Sequence, residues 1–171
     1  QHAGPRTDWK SGYDRFASSP IKVADGIIYH AATKDELAKV VHDFGVAARK
    51  CKLAGCDGVQ IHAAHGFLLT TFLSPHFNKR ADEYGGPIEN RSRLLFEIYD
   101  SVRNAVGVDY PIALKLSFSD LVSDSSTPEE MLWVCKELEK KGIDFIEVSS
   151  GISADNSGCL LYTSPSPRDT E

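Results

Sequence analysis

The feature that most limits how this chain can fold is an alternation of two patterns. Stretches with a helical repeat of apolar residues take turns with short β-branched runs, and a glycine follows each helix. The first helix is predicted from Thr33, where Thr33 and Glu36 make a capping box and Leu37, Val40, Val41, Phe44, Ala47 and Ala48 share one face. Gly55 stops it, and Asp57 to His62 (DGVQIH) has the length and composition of a buried strand. A loop over residues 74–87 leads to a second helix marked by Leu94, Leu95, Ile98, Tyr99, Val102, Ala105 and Val106, closed by Gly107. Pro111 to Leu116 (PIALKL) is the next strand. Thr127-Pro128-Glu129-Glu130 then opens a third helix with a cap, a proline at its first position and early acidic residues; its apolar face is Met131, Val134, Cys135 and Leu138. Lys140 and Lys141 suit its end, Gly142 breaks it, and Ile143 to Ser149 (IDFIEVS) is a third strand.

Helix, strand, helix, strand, helix, strand with short connections implies parallel pairing, in an open doubly wound sheet or a closed barrel. No Gly-x-Gly-x-x-Gly follows any strand, which weakens the dinucleotide-binding open sheet. The leading segment, Pro5 to Ala32, lacks a sustained period and is predicted to be a long loop, either covering a site or running through solvent.

Composition narrows the partners. The formal net charge is −5 and no run of Lys or Arg stands out, so the electrostatic footprint for nucleic acid or an acidic membrane surface is missing and small molecules are expected instead. No apolar stretch reaches the roughly 20 residues that cross a bilayer. Cys51, Cys56, Cys135 and Cys159 form no Cys-x-x-Cys pair, which fits a reducing, cytoplasmic setting. The chain begins Gln-His-Ala-Gly without Met, so a start further upstream is expected.

His62 ends the first strand and His65 follows at the strand-to-loop transition, the rim where parallel α/β proteins assemble their sites. Two neighbouring imidazoles can donate hydrogen bonds to an oxygen that gains negative charge. They can also bind a metal, though His-x-x-His has no nearby Cys or Glu to complete a ligand set, or serve the core alone. Lys115 is conspicuous inside the apolar run Ile112-Ala113-Leu114-Lys115-Leu116, because burying an unpaired ammonium is expensive. A lysine at a frayed strand end is the alternative.

The segment from Gly55 to Ile98, GCDGVQIHAAHGFLLTTFLSPHFNKRADEYGGPIENRSRLLFEI, resembles the region around the fourth strand of the old yellow enzyme family, particularly its branch with two histidines. The run FLSP followed by N-x-R-x-D-x-YGG-x-x-EN-R, Phe72 to Arg91, carries most of the likeness. His2-Ala3-Gly4 is similar to the family's third-strand end, YPIALKLS to its fifth strand and IDFIEVSSG to its sixth. The resemblance implies α/β architecture: a partial TIM (β/α)8 barrel, from the end of strand 3 through strand 6, over residues 1–158.

It also implies non-covalent FMN at the barrel mouth, hydride taken from NAD(P)H, and its transfer to an activated alkene or another small electrophilic substrate. His62 and His65 would bind the substrate's activating oxygen, with neutral imidazoles sufficient as donors. Lys115 would reach the flavin's N1 and C2 oxygen and steady the anionic reduced ring. Phe67 departs from the family, which commonly has a proton-donating Tyr there. Slow or altered alkene reduction is therefore expected, with flavin reduction and reoxidation by oxygen or quinone less affected. Arg80, Asp82, Arg91 and Arg93 are expected to be structural, and Gln1 is not taken as the family's flavin-binding Gln.

Residues 159–171 break the pattern. CLLYTSPSPRD, Cys159 to Asp169, resembles the translation of a transposon-type sequencing adapter, so this tail is expected to be foreign to the fold; a genuine Ser/Pro-rich linker is the alternative. On this reading the remaining staves of the barrel are missing, and the chain alone is expected to aggregate, bind FMN poorly and be inactive. A flavin-independent barrel enzyme, such as a metal-assisted lyase using His62 and His65, is the alternative function. A binding or scaffold module is a third.

Overall fold

A computed structural model of the chain describes residues 1–6, 16–22 and 28–152. The tail assigned to residues 159–171 lies outside them. Among the described residues the elements run 3-10 turn Gly4–Arg6, β1 Phe16–Ala17, β2 Ile21–Lys22, β3 Ile28–Ala31, α1 Lys34–Leu53, β4 Val59–Ala63, α2 Leu68–Leu73, α3 Ile88–Arg91, α4 Arg93–Val106, β5 Ile112–Ser117, α5 Pro128–Lys140 and β6 Phe145–Ser149. No described helix is long and apolar enough to cross a membrane.

The three long helices start and stop where their end signals stand. Thr33 caps α1 by accepting from the Glu36 N–H while the Glu36 carboxylate takes the Thr33 N–H at 2.7 Å, and Thr127 and Glu130 repeat the device on α5. Gly55, Gly107 and Gly142 take φ of 87°, 85° and 83° at the helix ends, a backbone that side-chain-bearing residues rarely adopt. The α1 face differs from the predicted one by a residue: Ala47 is exposed and Gly45 is buried. At Gly45 a Cβ would meet Ser101 Oγ at 2.6 Å, so glycine lets α1 and α4 approach closely.

β4, β5 and β6 pair in parallel and in sequence order. Alternation sorts their side chains onto two faces. Ile61, Ala63, Ile112, Leu114 and Leu116 are 3% exposed or less and join Leu37, Val40, Leu94, Ile98, Met131 and Val134 of α1, α4 and α5 in one core. Each such Leu or Ile contributes about 1.5–3 kcal/mol by leaving water. The opposite face carries Gln60, His62, Ala113, Lys115, Phe145 and Glu147. Phe145 and Val148, on opposite faces of β6, are 60% and 62% exposed.

The expected loop over residues 5–32 is corrected in its described parts. β1 pairs with β3 in parallel, Phe16 opposite His30, and β2 pairs with β3 antiparallel, Ile21 opposite Tyr29. Strands of two to four residues are too short to show a period of two, and their pairing is set by distant residues. No strand covers residues 1–3; the chain passes from them into the Gly4 turn, and the His2 carbonyl accepts from the Leu68 N–H at 3.3 Å. Leu68–Leu73 is a helix the periodicity did not reveal, because all six of its residues are buried and no polar face marks it.

Candidate functional site

β4 delivers His62 to the polar face of the sheet because Ile61 and Ala63 on either side are drawn into the core. The register then places Lys115 of β5 directly opposite His62, and Glu147 of β6 directly opposite Lys115. Lys115 Nζ lies 2.6 Å from Glu147 Oε1, and Gln60 Nε2 donates to Glu147 Oε2 at 3.0 Å. A polar seam thus crosses all three strands, and the ammonium that looked anomalous in an apolar run has its counter-ion.

Beyond β4 the chain turns through two consecutive left-handed residues, His65 at φ 62° and Gly66 at φ 75°. His65 is tied to both neighbouring strands at this bend: its N–H donates to Ser117 Oγ at 3.0 Å, and its Nε2 lies 2.6 Å from Ser149 Oγ. A single parallel bridge to Ile152 adds a backbone tie. The His62 and His65 rings stand 5.5 Å apart at 60°. Phe67, at the N-cap of α2, meets His62 edge to face at 4.9 Å.

Burial pushes the His62 imidazolium down to a pKa of about 4, and the positive charge of His65 and Lys115 acts in the same direction, while Glu147 opposes it. His62 is therefore a neutral ring at ordinary pH, with one N–H to donate. The Lys115 and Gln60 hydrogen bonds hold the Glu147 carboxyl below its ordinary range. The rim thus combines two imidazoles, a cation paired to a carboxylate, and an aromatic ring without an ionisable group.

Sequence reasoning identified His62, His65, Phe67 and Lys115, and the structure brings all four to the C-terminal part of the same sheet. It missed Gln60, Glu147, Ser117 and Ser149. Glu147 had a signal, a carboxylate in the apolar run IDFIEVS, of the kind that drew attention to Lys115. Arg80, Asp82, Arg91 and Arg93 serve the scaffold, as expected. Arg80 grips Asp82 at 2.9 and 2.6 Å and the carbonyls of Ser18 and Ala32, and Arg91, 3% exposed, bonds the Leu73 and Gly86 carbonyls, Ser126 and Glu130. Arg93 donates to the Glu83 carbonyl at 2.8 Å.

Among the described residues no three His, Cys, Asp or Glu side chains gather as a metal would require, so His62 and His65 acquire no third ligand. A cavity of about 250 Å³ lies elsewhere, bordered by His2, Phe16 and the Glu36, Val40 and Phe44 side of α1, and touches none of the four residues.

Comparison with known proteins points the same way. Residues 5–158 match the NADH:flavin oxidoreductase / NADH oxidase family. The chain is 37% identical to an NADH oxidase of Thermoanaerobacter brockii over 88% of its own length and 24% of that protein's. It is 44% identical to enoate reductase 1 of Kluyveromyces lactis over 66% of its own length and 29% of the relative's. In structure it resembles a 2-naphthoyl-CoA reductase in complex with 2-naphthoyl-CoA, with a TM-score of 0.85 and 29% identity over 90% of this chain and 26% of that one. The chain therefore spans about a quarter of the length of these relatives. The fold is the corresponding part of a TIM (β/α)8 barrel.

Proposed function

Because the chain belongs to the NADH:flavin oxidoreductase / NADH oxidase family, we propose that the whole protein carrying this chain works as an FMN-dependent oxidoreductase. It takes hydride from NADH or NADPH and passes it to an activated alkene or another small electrophile. The observation that carries the reading is the convergence of His62, His65 and Lys115 at one rim of the sheet, where imidazole donors and a cation can meet developing negative charge. No comparison supports the flavin-independent lyase.

The donor set suits FMN. A flavin becomes anionic on reduction and has carbonyl oxygens along one edge, and Lys115 is the group to face them. When bound, FMN supplies the two-electron relay between nicotinamide and acceptor. The chain's own residues do the rest. His62 and His65 donate hydrogen bonds to the acceptor's oxygen, orienting it and drawing electron density from the double bond. His62 performs this while neutral, so no proton is lost from an imidazolium in the step. Ser149 and Ser117 hold His65 at its bend.

Phe67 packs on His62 and offers no proton, so the proton that completes alkene reduction comes from water or another residue. Alkene turnover is accordingly slow relative to flavin reduction and to reoxidation by oxygen or quinone. A carbonyl-conjugated substrate is supported by the names of two relatives, an enoate reductase and a naphthoyl-CoA reductase. The family match ends at residue 158, which supports leaving residues 159–171 out of the catalytic unit. The free thiols Cys51, Cys56 and Cys135 support a reducing, cytoplasmic setting.

The decisive experiment is anaerobic. The whole protein, as distinct from this chain alone, supplied with FMN should show bound-flavin absorbance that bleaches on adding NADH or NADPH and recovers with an enone or oxygen. A protein that retains no flavin, or flavin that nicotinamide leaves oxidised, refutes the proposal.

A further inference from the structure

Glu147 belongs to no part of the chemistry above, yet both of its carboxylate oxygens are committed. One takes the Lys115 ammonium from the neighbouring strand at 2.6 Å, and the other takes the Gln60 amide from two strands away at 3.0 Å. The second contact crosses over β5 beside Ala113, which pairs with both Gln60 and Phe145 and whose single methyl leaves the passage open. Gln60 has no other assignment in the site, and its amide holds the carboxylate oxygen that the lysine does not take. The arrangement has two physical effects. Lysine's flexible stem makes the ammonium a poorly placed charge unless something holds it, and an adjacent carboxylate turns a lone positive charge into a dipole whose field falls off faster.

We propose that Glu147 is a positioning residue for Lys115: clamped by Gln60, it holds the ammonium toward the site and offsets part of its charge, so that the Lys115–Glu147 pair sets how strongly the site favours reduced over oxidised flavin. This rests on the FMN reading above. It assigns to Glu147 and Gln60 a role in tuning the cofactor, through Lys115 and without touching the acceptor.

The test is the midpoint potential of FMN bound to the full protein. Glu147→Gln leaves the ammonium unopposed and should raise the potential, with the preference for reduced over oxidised FMN increasing about tenfold, or roughly 30 mV for a two-electron couple. Glu147→Asp keeps the charge and should stay close to wild type. An unchanged or lowered potential in Glu147→Gln overturns the inference, as does an Asp variant that shifts as far as the Gln variant. If Glu147→Gln does not fold or load, Glu147→Ala takes its place with the same expectation. In a Lys115→Met background the Glu147 substitution should shift the potential far less, and an equal shift in both backgrounds overturns the inference, because the carboxylate would then act on the flavin without the lysine. Wild-type protein that takes up no FMN brings down the functional reading and this one with it. Wild-type protein that loads FMN, with a potential indifferent to Glu147, brings down this one alone.

Discussion

Leu114 and Lys115 are adjacent in the chain and face opposite ways, and the two sides of the β4–β5–β6 sheet divide the same way. Toward the helices, Ile61, Ala63, Ile112, Leu114 and Leu116 are nearly or wholly removed from water and hold the layers together. Toward the other side, Gln60, His62, Lys115 and Glu147 keep access to solvent, and Glu147 bonds to both Gln60 and Lys115. A strand's period of two thus separates stability from chemistry one residue at a time, and the two should respond to different substitutions.

The largest effect is expected on the helix side. Leu114→Ala should lower unfolding free energy by about 2–5 kcal/mol, read from the urea midpoint, with flavin lost only as the fold is lost. If Lys115→Met lowered the midpoint as far, the division of labour between the faces would fail. On the polar side, His62→Ala should cut alkene turnover roughly 100-fold while the midpoint moves by less than about 1 kcal/mol. A comparable loss in both quantities would mean that His62 belongs with the core.

Acid sharpens the contrast. His62 has a pKa of about 4 in the folded chain and 6.5 when free, so between these values the unfolded chain binds a proton that the folded chain refuses. The His62 contribution is constant above pH 6.5 and turns against the fold as pH falls toward 4. Urea midpoints measured at pH 7 and pH 5 should therefore fall less in His62→Asn than in wild type, and equal falls would contradict the depressed value. The smallest effect expected is a gain: Phe67→Tyr adds a phenolic acid to a ring whose centroid lies 4.9 Å from that of His62 and should raise enone turnover about tenfold, short of the roughly 10²–10⁴ of a tuned general acid. Unchanged turnover would place the proton source elsewhere.

What could be read beforehand follows the same physical division. Helices α1, α4 and α5 were legible because caps, a one-sided apolar repeat and closing glycines are local signals. Their neighbouring strands were legible to within two residues at each end, since β-branched content marks existence better than boundaries. Helix α2 was not, because a helix buried on every side has no face to betray its period. β1, β2 and β3 were not, because two-residue pairings depend on where distant chain arrives. At the site, Lys115 announced itself as a charge in an apolar run. Its bond to Glu147 depends on the register between β5 and β6, which no local pattern specifies.

The left-handed bend at His65 constrains how that histidine can be interrogated. At φ 62° a residue with a Cβ, histidine included, carries a backbone penalty of about 1–2 kcal/mol, and a β-branched residue more, before any hydrogen bond is considered. Asparagine tolerates this conformation and keeps an N–H₂ donor; glycine tolerates it and keeps none. Alanine keeps the Cβ and loses the donor, so the difference between the asparagine and alanine variants isolates the contribution of the side-chain donor, whereas glycine relieves the backbone strain and hides part of that loss.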